Sequence, residues 1–147
     1  MSHKGIRIET PRGAVVKSKN GVRARLRWNP DFVDKRQGSY DKAQMYVDNE
    51  VLRLSDPYVP FQSGLLKKSG ILGTVPGRGE VIWNAPYARY HYYGKVMIGR
   101  APKQRTGQNL QHHGAPKRGA FWFVRMKKDK LSQILAGARR IAAGGTR

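Results

Sequence analysis

The chain has 147 residues and carries 29 lysines and arginines against nine aspartates and glutamates, so its formal net charge of +20 predicts a polyanionic or acidic partner. The length suits one domain, and we predict a single domain over residues 1–147. The absence of cysteine excludes disulfides, thiolate metal sites and a thiol nucleophile. No apolar run reaches membrane-spanning length, and the start MSHKGIRIET lacks the apolar centre of a signal peptide.

The N-terminal stretch predicts a β-hairpin. Ile6 and Ile8 alternate with polar neighbours, and the letters KNG that follow are an Asn-Gly hairpin signal. Beyond the turn, apolar residues alternate with Arg23, Arg25 and Arg27, which gives a strand with one basic face. That face is either a nucleic-acid contact or a solvated surface that protects a sheet edge. We predict that residues 1–20 form an arm or hairpin.

A long helix is predicted next. In NPDF, Asn29 suits the cap and Pro30 suits the first helical position. Apolar residues then recur at steps of three and four, the pattern of a helix facing a core: Tyr40, Ala43, Val47, Val51 and Leu54. Gly38 leaves open whether the helix is one piece or two, and Pro57 predicts an end near Ser55 because it disfavours helical geometry at the preceding residue.

Two Pro-Tyr segments, DPYVPFQSGLLKKSG and APYARYHYYG, occupy the centre of the chain. In the first, we predict that Ser63 caps a short helix that begins at Gly64, with Leu65 and Leu66 turned inward. The letters ILGTV and EVIWNA predict a strand pair around the turn PGRG. The second segment predicts a short helix or turn that stops at Gly94.

The second half of the chain is strongly basic. From Val81 to Lys128 there are ten lysines and arginines and no acidic residue. Residues 95–119 show no periodicity and predict a long basic loop. An amphipathic C-terminal helix that stops at Gly144 and Gly145 is predicted after it, with an apolar face of Leu131, Ile134, Leu135, Ala138 and Ile141. We predict that this loop faces DNA or an acidic partner through six cations: Lys95, Arg100, Lys103, Arg105, Lys117 and Arg118.

The sequence predicts no catalytic residue, cofactor or metal site, and we expect that the protein is not an enzyme. His112 and His113 have no carboxylate or cysteine companions in sequence, and no phosphate-binding glycine loop is present. Asp56 and Glu80 are explained by capping or by pairing with an arginine. The tyrosines at 87, 90, 92 and 93 are candidates for stacking on bases. Those at 87, 90 and 93 repeat at helical spacing, however, which is typical of packing against a neighbouring element.

Three motifs, in this order, resemble the minor capsid and tail-completion proteins of long-tailed bacteriophages. They are the helix end running into DPYVPFQSGLL, the segment WNAPYARYHYYG, and the late FWFVRMK, and they cover about residues 40–135. We assign a structural role to the matching positions: Pro57, Tyr58, Pro60, Ser63, Gly64, Leu65, Trp83, Pro86, Tyr87, Ala88, Tyr93, Gly94 and Trp122.

The resemblance implies a component of the phage neck, the connector between head and tail. Such a protein forms a ring of six or twelve copies between portal and tail, and DNA passes through the ring. Its expected neighbours are a portal-side adaptor or stopper and a tail terminator or tube. It is made in the host bacterial cytoplasm and ends in the virion, and no membrane is involved. The implied fold class is α+β, a small antiparallel sheet packed with a long helix and a C-terminal helix. The alternative function is a sequence-tolerant nucleic-acid-binding protein that uses the basic second half.

Overall fold

The structure is a computed structural model, and it describes residues 7–114 and 116–145. The predicted α+β class is confirmed, although the strands form two separate two-stranded antiparallel sheets rather than one. In chain order the elements are β1 (Ala14–Lys17), β2 (Arg23–Leu26), α1 (Phe32–Ser55), α2 (Leu65–Gly73), α3 (Ala88–Tyr93), β3 (Lys95–Ile98), β4 (Gln104–Asn109) and α4 (Trp122–Ala142).

The N-terminal hairpin forms around the predicted Asn-Gly turn, but its first strand lies later than expected. β1 pairs with β2 so that Val15 faces Arg25 and Val16 faces Ala24. The predicted strand residue Ile8 is outside any strand and donates its N–H to Gln37 Oε1 at 3.0 Å; Ile6 lies outside the described residues. The first strand lies later than predicted because the turn at Asn20-Gly21 is short, so the residues directly before it are the ones that face β2.

Helix α1 is one continuous helix of 24 residues that passes through Gly38. It begins at Phe32 rather than Pro30, since the Asn29 side chain accepts the Asp31 N–H at 3.0 Å and forms a turn ahead of the helix. It ends at Ser55, the predicted position, but Asp56 before Pro57 keeps helical angles, φ −51° and ψ −45°. The end follows instead from the missing N–H of Pro57, which cannot continue the helical hydrogen bonds. Ala43 and Leu54 of the predicted stripe are buried, whereas Tyr40 remains 38% exposed.

The core lies where α1 packs against α4 and where the central segments cover one end of that pair. Its buried apolar residues are Leu54, Tyr58, Val59, Leu66, Ala88, Trp122, Met126 and Ile134. On α4, Ile134 and Ile141 of the predicted apolar face are buried, and Leu131 and Leu135 stay partly exposed. The helix is followed by Gly144 in the left-handed region, at φ 92°, which agrees with the predicted stop.

The predicted strand pair ILGTV and EVIWNA is wrong. Residues 71–73 complete α2, and residues 80–85 run across it without strand pairing. Glycines allow this close crossing: a Cβ on Gly70 would lie 2.6 Å from Trp83 Nε1, and one on Gly73 would lie 2.6 Å from the Ile82 carbonyl oxygen. The PGRG turn does form, because the buried Asp48 carboxylate accepts the Gly77 and Gly79 N–H groups at 2.8 and 3.0 Å.

Residues 95–119 are not a loop throughout, because β3 and β4 form a hairpin within them. Met97 faces Arg105 and Ile98 faces Gln104, with an irregularity between Lys95 and Met97. The apolar run KVMI and the glycine-proline turn after it were the available signals. A four-residue strand beside a polar partner strand has too little alternation to show in sequence.

Candidate functional site: the central clamp, the aromatic seam and the basic hairpin

The first Pro-Tyr segment is anchored to both long helices. Tyr58 is 3% exposed, and its N–H and that of Val59 donate to the Ser55 carbonyl at the end of α1. The Tyr58 hydroxyl donates to the Asp129 carboxylate of α4 at 2.5 Å. This hydrogen bond, together with burial, raises the pKa of Tyr58 above its ordinary value. The segment therefore fixes the distance between the two helices at one end.

Arg118 clamps the same segment from the other side. Its Nη1 donates to the carbonyl oxygens of Asp56 and Val59 at 2.7 and 2.5 Å, and its guanidinium lies 5.2 Å from the Phe61 ring centre. The Gly119 N–H adds a bond to the Tyr58 carbonyl at 3.0 Å. Arg118 is one of the cations predicted to contact DNA or an acidic partner, and that contact stays a prediction; its guanidinium makes these internal contacts.

The start of α2 differs from the prediction at Ser63. Gly64 is the residue before the helix and adopts φ 76°, a left-handed conformation that glycine adopts without strain. Ser63 is exposed and makes no capping hydrogen bond, and the helix begins at Leu65. Leu66 points into the core as expected, whereas Leu65 is 57% exposed. Gly64 therefore occupies the N-cap position that we predicted for Ser63, and no side chain caps the helix.

The second Pro-Tyr segment and the start of α4 form an aromatic seam. Trp122 is 2% exposed and makes edge-on contacts with Tyr92 and Trp83, at ring-centre distances of 4.7 and 5.8 Å. Phe121 closes the seam against Tyr92 and Tyr93. Gly94 ends α3 at φ 64° with its N–H bonded to Tyr90, as predicted. Trp122 is therefore buried in the seam and Tyr92 is partly buried, whereas Phe121 and Tyr93 at its edge remain 45% and 41% exposed.

The histidines also serve packing. The rings of His91 and His112 lie 5.7 Å apart, and His112 Nε2 is 3.2 Å from the His91 carbonyl oxygen. Burial, and secondarily the nearby His112, lowers the pKa of His91. Among the described residues, no group of three or more histidines and carboxylates is placed to hold a metal ion. Asp56 pairs with Lys67 at 2.9 Å rather than with an arginine.

Four of the six predicted contact cations lie on one structural unit, the hairpin of β3 and β4 with its turn. Lys95 donates to Asn109 Oδ1 at 2.6 Å, and Arg100 is exposed in the turn. Lys103 and Arg105 lie 6.0 and 5.3 Å from the ring centres of Tyr90 and Tyr93, respectively. Lys117 is separate, above Tyr58. Sequence reasoning missed Arg89, which α3 turns toward the same hairpin. Its position four residues before Tyr93, about one helical turn away, was the available sequence signal.

Comparison with protein families gives a match to the minor capsid protein family over residues 33–140. The chain belongs to this family. The match contains the two Pro-Tyr segments and most of α1 and α4, and so confirms the resemblance that the motifs indicated. Comparison with curated proteins and with solved structures gives no match.

As a minor capsid protein, the chain is a bacteriophage structural protein that resides in the virion with other virion proteins. In the part of the chain that the structure describes, no helix combines the length and the apolar character needed to cross a bilayer.

Proposed function

We propose that this minor capsid protein is a neck component, which forms a closed ring between portal and tail and surrounds the path of the genome. Its neighbours in this role are a portal-side adaptor or stopper and a tail terminator or tube. The role is structural rather than catalytic. Family membership supports a place in the virion. Homo-oligomers usually have closed symmetry, and a head-to-tail contact between copies closes into a ring.

The observation that carries this proposal is the exposed N-terminal hairpin. Every residue of β1 and β2 is exposed to solvent. The register places four apolar side chains on one face (Ala14, Val16, Ala24 and Leu26), and Val15, Lys17, Arg23 and Arg25 on the other. A two-stranded hairpin is at best marginally stable alone, and its apolar face needs a surface to cover it. An arm of this kind is suited to reach a neighbouring copy in a ring.

Charge supports the same arrangement. A chain with a net charge of +20 is repelled by its own copies. Enclosed DNA or acidic neighbouring proteins would offset that repulsion, and the exposed cations Arg100, Lys103 and Arg105 are available for this contact. Self-association through the arm, with the basic hairpin turned toward a polyanion, therefore accounts for both the apolar face and the charge.

The test compares two neighbouring substitutions in β1. Val16→Asp places a charge on the apolar face, and Val15→Asp, the matched control, places it on the basic face beside Arg25. Because both positions are exposed, we expect equal stability to urea. We expect the control to form rings in electron micrographs of purified protein, and Val16→Asp to remain monomeric.

Imaging of virions with the protein labelled tests the location. Label at the junction of head and tail is the expected result. Label elsewhere on the particle, or equal ring formation by both β1 variants, contradicts the proposal. A monomer that binds DNA and is missing from virions would favour the alternative, a free nucleic-acid-binding protein.

A further inference from the structure

A small cavity with three cationic walls lies between α3 and the β3–β4 hairpin. Its volume is about 200 Å³. Its lining residues are Arg89, Tyr90, Tyr93, Lys95, Met97 and Arg105, and we call this set the cation cleft. Arg89 comes from α3, whereas Lys95 and Arg105 come from the two paired strands. No carboxylate lines the cleft. Three positive charges from three elements therefore share one concave space.

In the described part of the chain, no carboxylate neutralises the charges in the cleft. The stretch from Val81 to Lys128, which supplies the whole cleft, contains no acidic residue. Within residues 7–114 and 116–145, the ion pairs join Arg53 to Glu50 and Lys67 to Asp56, away from the cleft. Lys95 is held in place by neutral acceptors, Asn109 Oδ1 at 2.6 Å and the Gly107 carbonyl at 3.4 Å. These contacts orient the ammonium group without neutralising it.

The size and chemistry of the cleft select one kind of ligand. A volume of about 200 Å³ lies below the roughly 300–1,000 Å³ of sites that enclose a whole small molecule. It has room for one anionic group with a few waters, since a water occupies about 30 Å³. Arginine presents a planar fork of N–H donors that matches phosphate oxygens, and tyrosine hydroxyls can donate as well. One phosphate group fits this set of donors.

The tyrosines argue for the backbone of DNA rather than for its bases. Lys103 and Arg105 lie over the rings of Tyr90 and Tyr93, at 6.0 and 5.3 Å from the ring centres. Cations on these ring faces compete with a stacking base. At the same time they add positive charge to the rim of the cleft. The arrangement favours contact with phosphates of a duplex, whose bases remain paired inside.

We propose that the cation cleft binds a backbone phosphate of duplex DNA, with Arg89 and Arg105 as the forked donors and Lys95 as a fixed point charge. The phosphate site follows from the cleft alone, and DNA as the source of the phosphate rests on the proposed neck function. Arg89 is thereby assigned a binding role beside residues of the basic hairpin.

The test is duplex binding measured over a range of salt concentrations with the isolated full chain. Each lost phosphate contact should make the slope of log affinity against log salt shallower by about 0.9, so Arg89→Gln with Arg105→Gln should change it by about 1.8. Arg105→Lys keeps the charge but loses the fork, and should weaken binding while leaving the slope near the wild-type value. The matched control is Arg139→Gln, an exposed arginine on α4 away from the cleft, and should leave the slope unchanged.

Wild-type affinity and slope in the double variant would overturn the proposal. Arg89→Gln alone provides the test if Arg105→Gln proves unfolded in urea denaturation. The two phosphate sources are separated by NMR of the arginine Nε–H groups during titration with a duplex and with inorganic phosphate. Shifts of Arg89 and Arg105 at much lower duplex than phosphate concentration are expected. Shifts with inorganic phosphate and none with duplex would contradict the DNA assignment. Because these experiments use the isolated chain, they can succeed even if virion imaging rejects the neck location.

Discussion

Arg118 shows how one residue can join parts of the chain that are distant in sequence. Its guanidinium donates to the carbonyl oxygen of Asp56, 62 residues earlier, and to that of Val59, 59 residues earlier. These carbonyls lie just after α1, where the helix has ended and the chain turns. The two carbonyl oxygens are partly shielded from water and would lack a hydrogen-bond donor without Arg118. A charged donor at such a position therefore stabilises the fold more than an exposed contact does.

We therefore predict that Arg118→Gln lowers the free energy of unfolding by about 2 kcal/mol. The loss arises because two carbonyl oxygens lose their donor and Phe61 loses its cation contact. Urea denaturation followed by circular dichroism measures it. Arg100→Gln, in the exposed turn of the hairpin, is the control and should change stability by less than about 0.5 kcal/mol. Equal stability of the two variants would show that the clamp contributes little.

At the scale of elements, the packing of α1 on α4 depends on the small size of Gly137. A Cβ at this position would lie within van der Waals overlap of the Tyr46 hydroxyl and ring, from α1. Gly137 is buried, although glycine is a poor helix former. Gly38 in α1 differs in its surroundings, since a Cβ there would have no other atom within 4 Å. Two helical glycines thus have different roles in the same helix pair.

These contacts predict opposite outcomes for the same substitution. Gly38→Ala should stabilise the protein by about 0.5–1 kcal/mol, because alanine favours the helix and reduces the freedom of the unfolded chain. Gly137→Ala should destabilise it by about 1–3 kcal/mol, because the added methyl group displaces Tyr46. Thermal unfolding of both variants measures the difference. A stabilising Gly137→Ala would mean that Tyr46 moves aside without loss.

At the scale of the whole molecule, the distribution of charge is the main feature. Several acidic residues have structural contacts: Asp48 holds a turn, Asp56 pairs with Lys67 and Asp129 accepts from Tyr58. Among the described residues, no carboxylate pairs with the cations on the β3–β4 hairpin or beside it. The molecule therefore presents a field that attracts polyanions at long range.

We predict that the wild-type protein binds a non-specific duplex with a log–log salt slope of roughly −5, as expected for about six phosphate contacts. The contacts would come from Lys95, Arg100, Lys103, Arg105 and Lys117 of the predicted set, with Arg89 in place of Arg118. Fluorescence anisotropy at several salt concentrations measures the slope. A flat profile, unchanged when all six residues are replaced by glutamine, would leave an acidic protein as the partner of this surface.

Local signals were sufficient where a residue acts on its own backbone. Asn20-Gly21 predicted the N-terminal turn and Gly94 predicted the end of α3, because glycine permits left-handed backbone angles. Pro57 predicted where α1 ends through its missing N–H, although Asp56 before it keeps helical angles. The ordered Pro-Tyr motifs identified the family. The polyanionic or acidic partner that the net charge of +20 indicates stays a prediction.

Only the tertiary structure decided features that depend on distant contacts. Residues 71–73 join α2 because Gly70 and Gly73 let Trp83 and Ile82 cross closely, a contact that no local pattern reveals. Arg118 is a clamp, since the carbonyls that it binds lie about 60 residues earlier. Arg89 faces the basic hairpin because α3 and β3 meet at Gly94. The sequence determined the backbone turns, the family and the sign of the charge, whereas folding decided which cations are used inside the protein and which stay free to bind a partner.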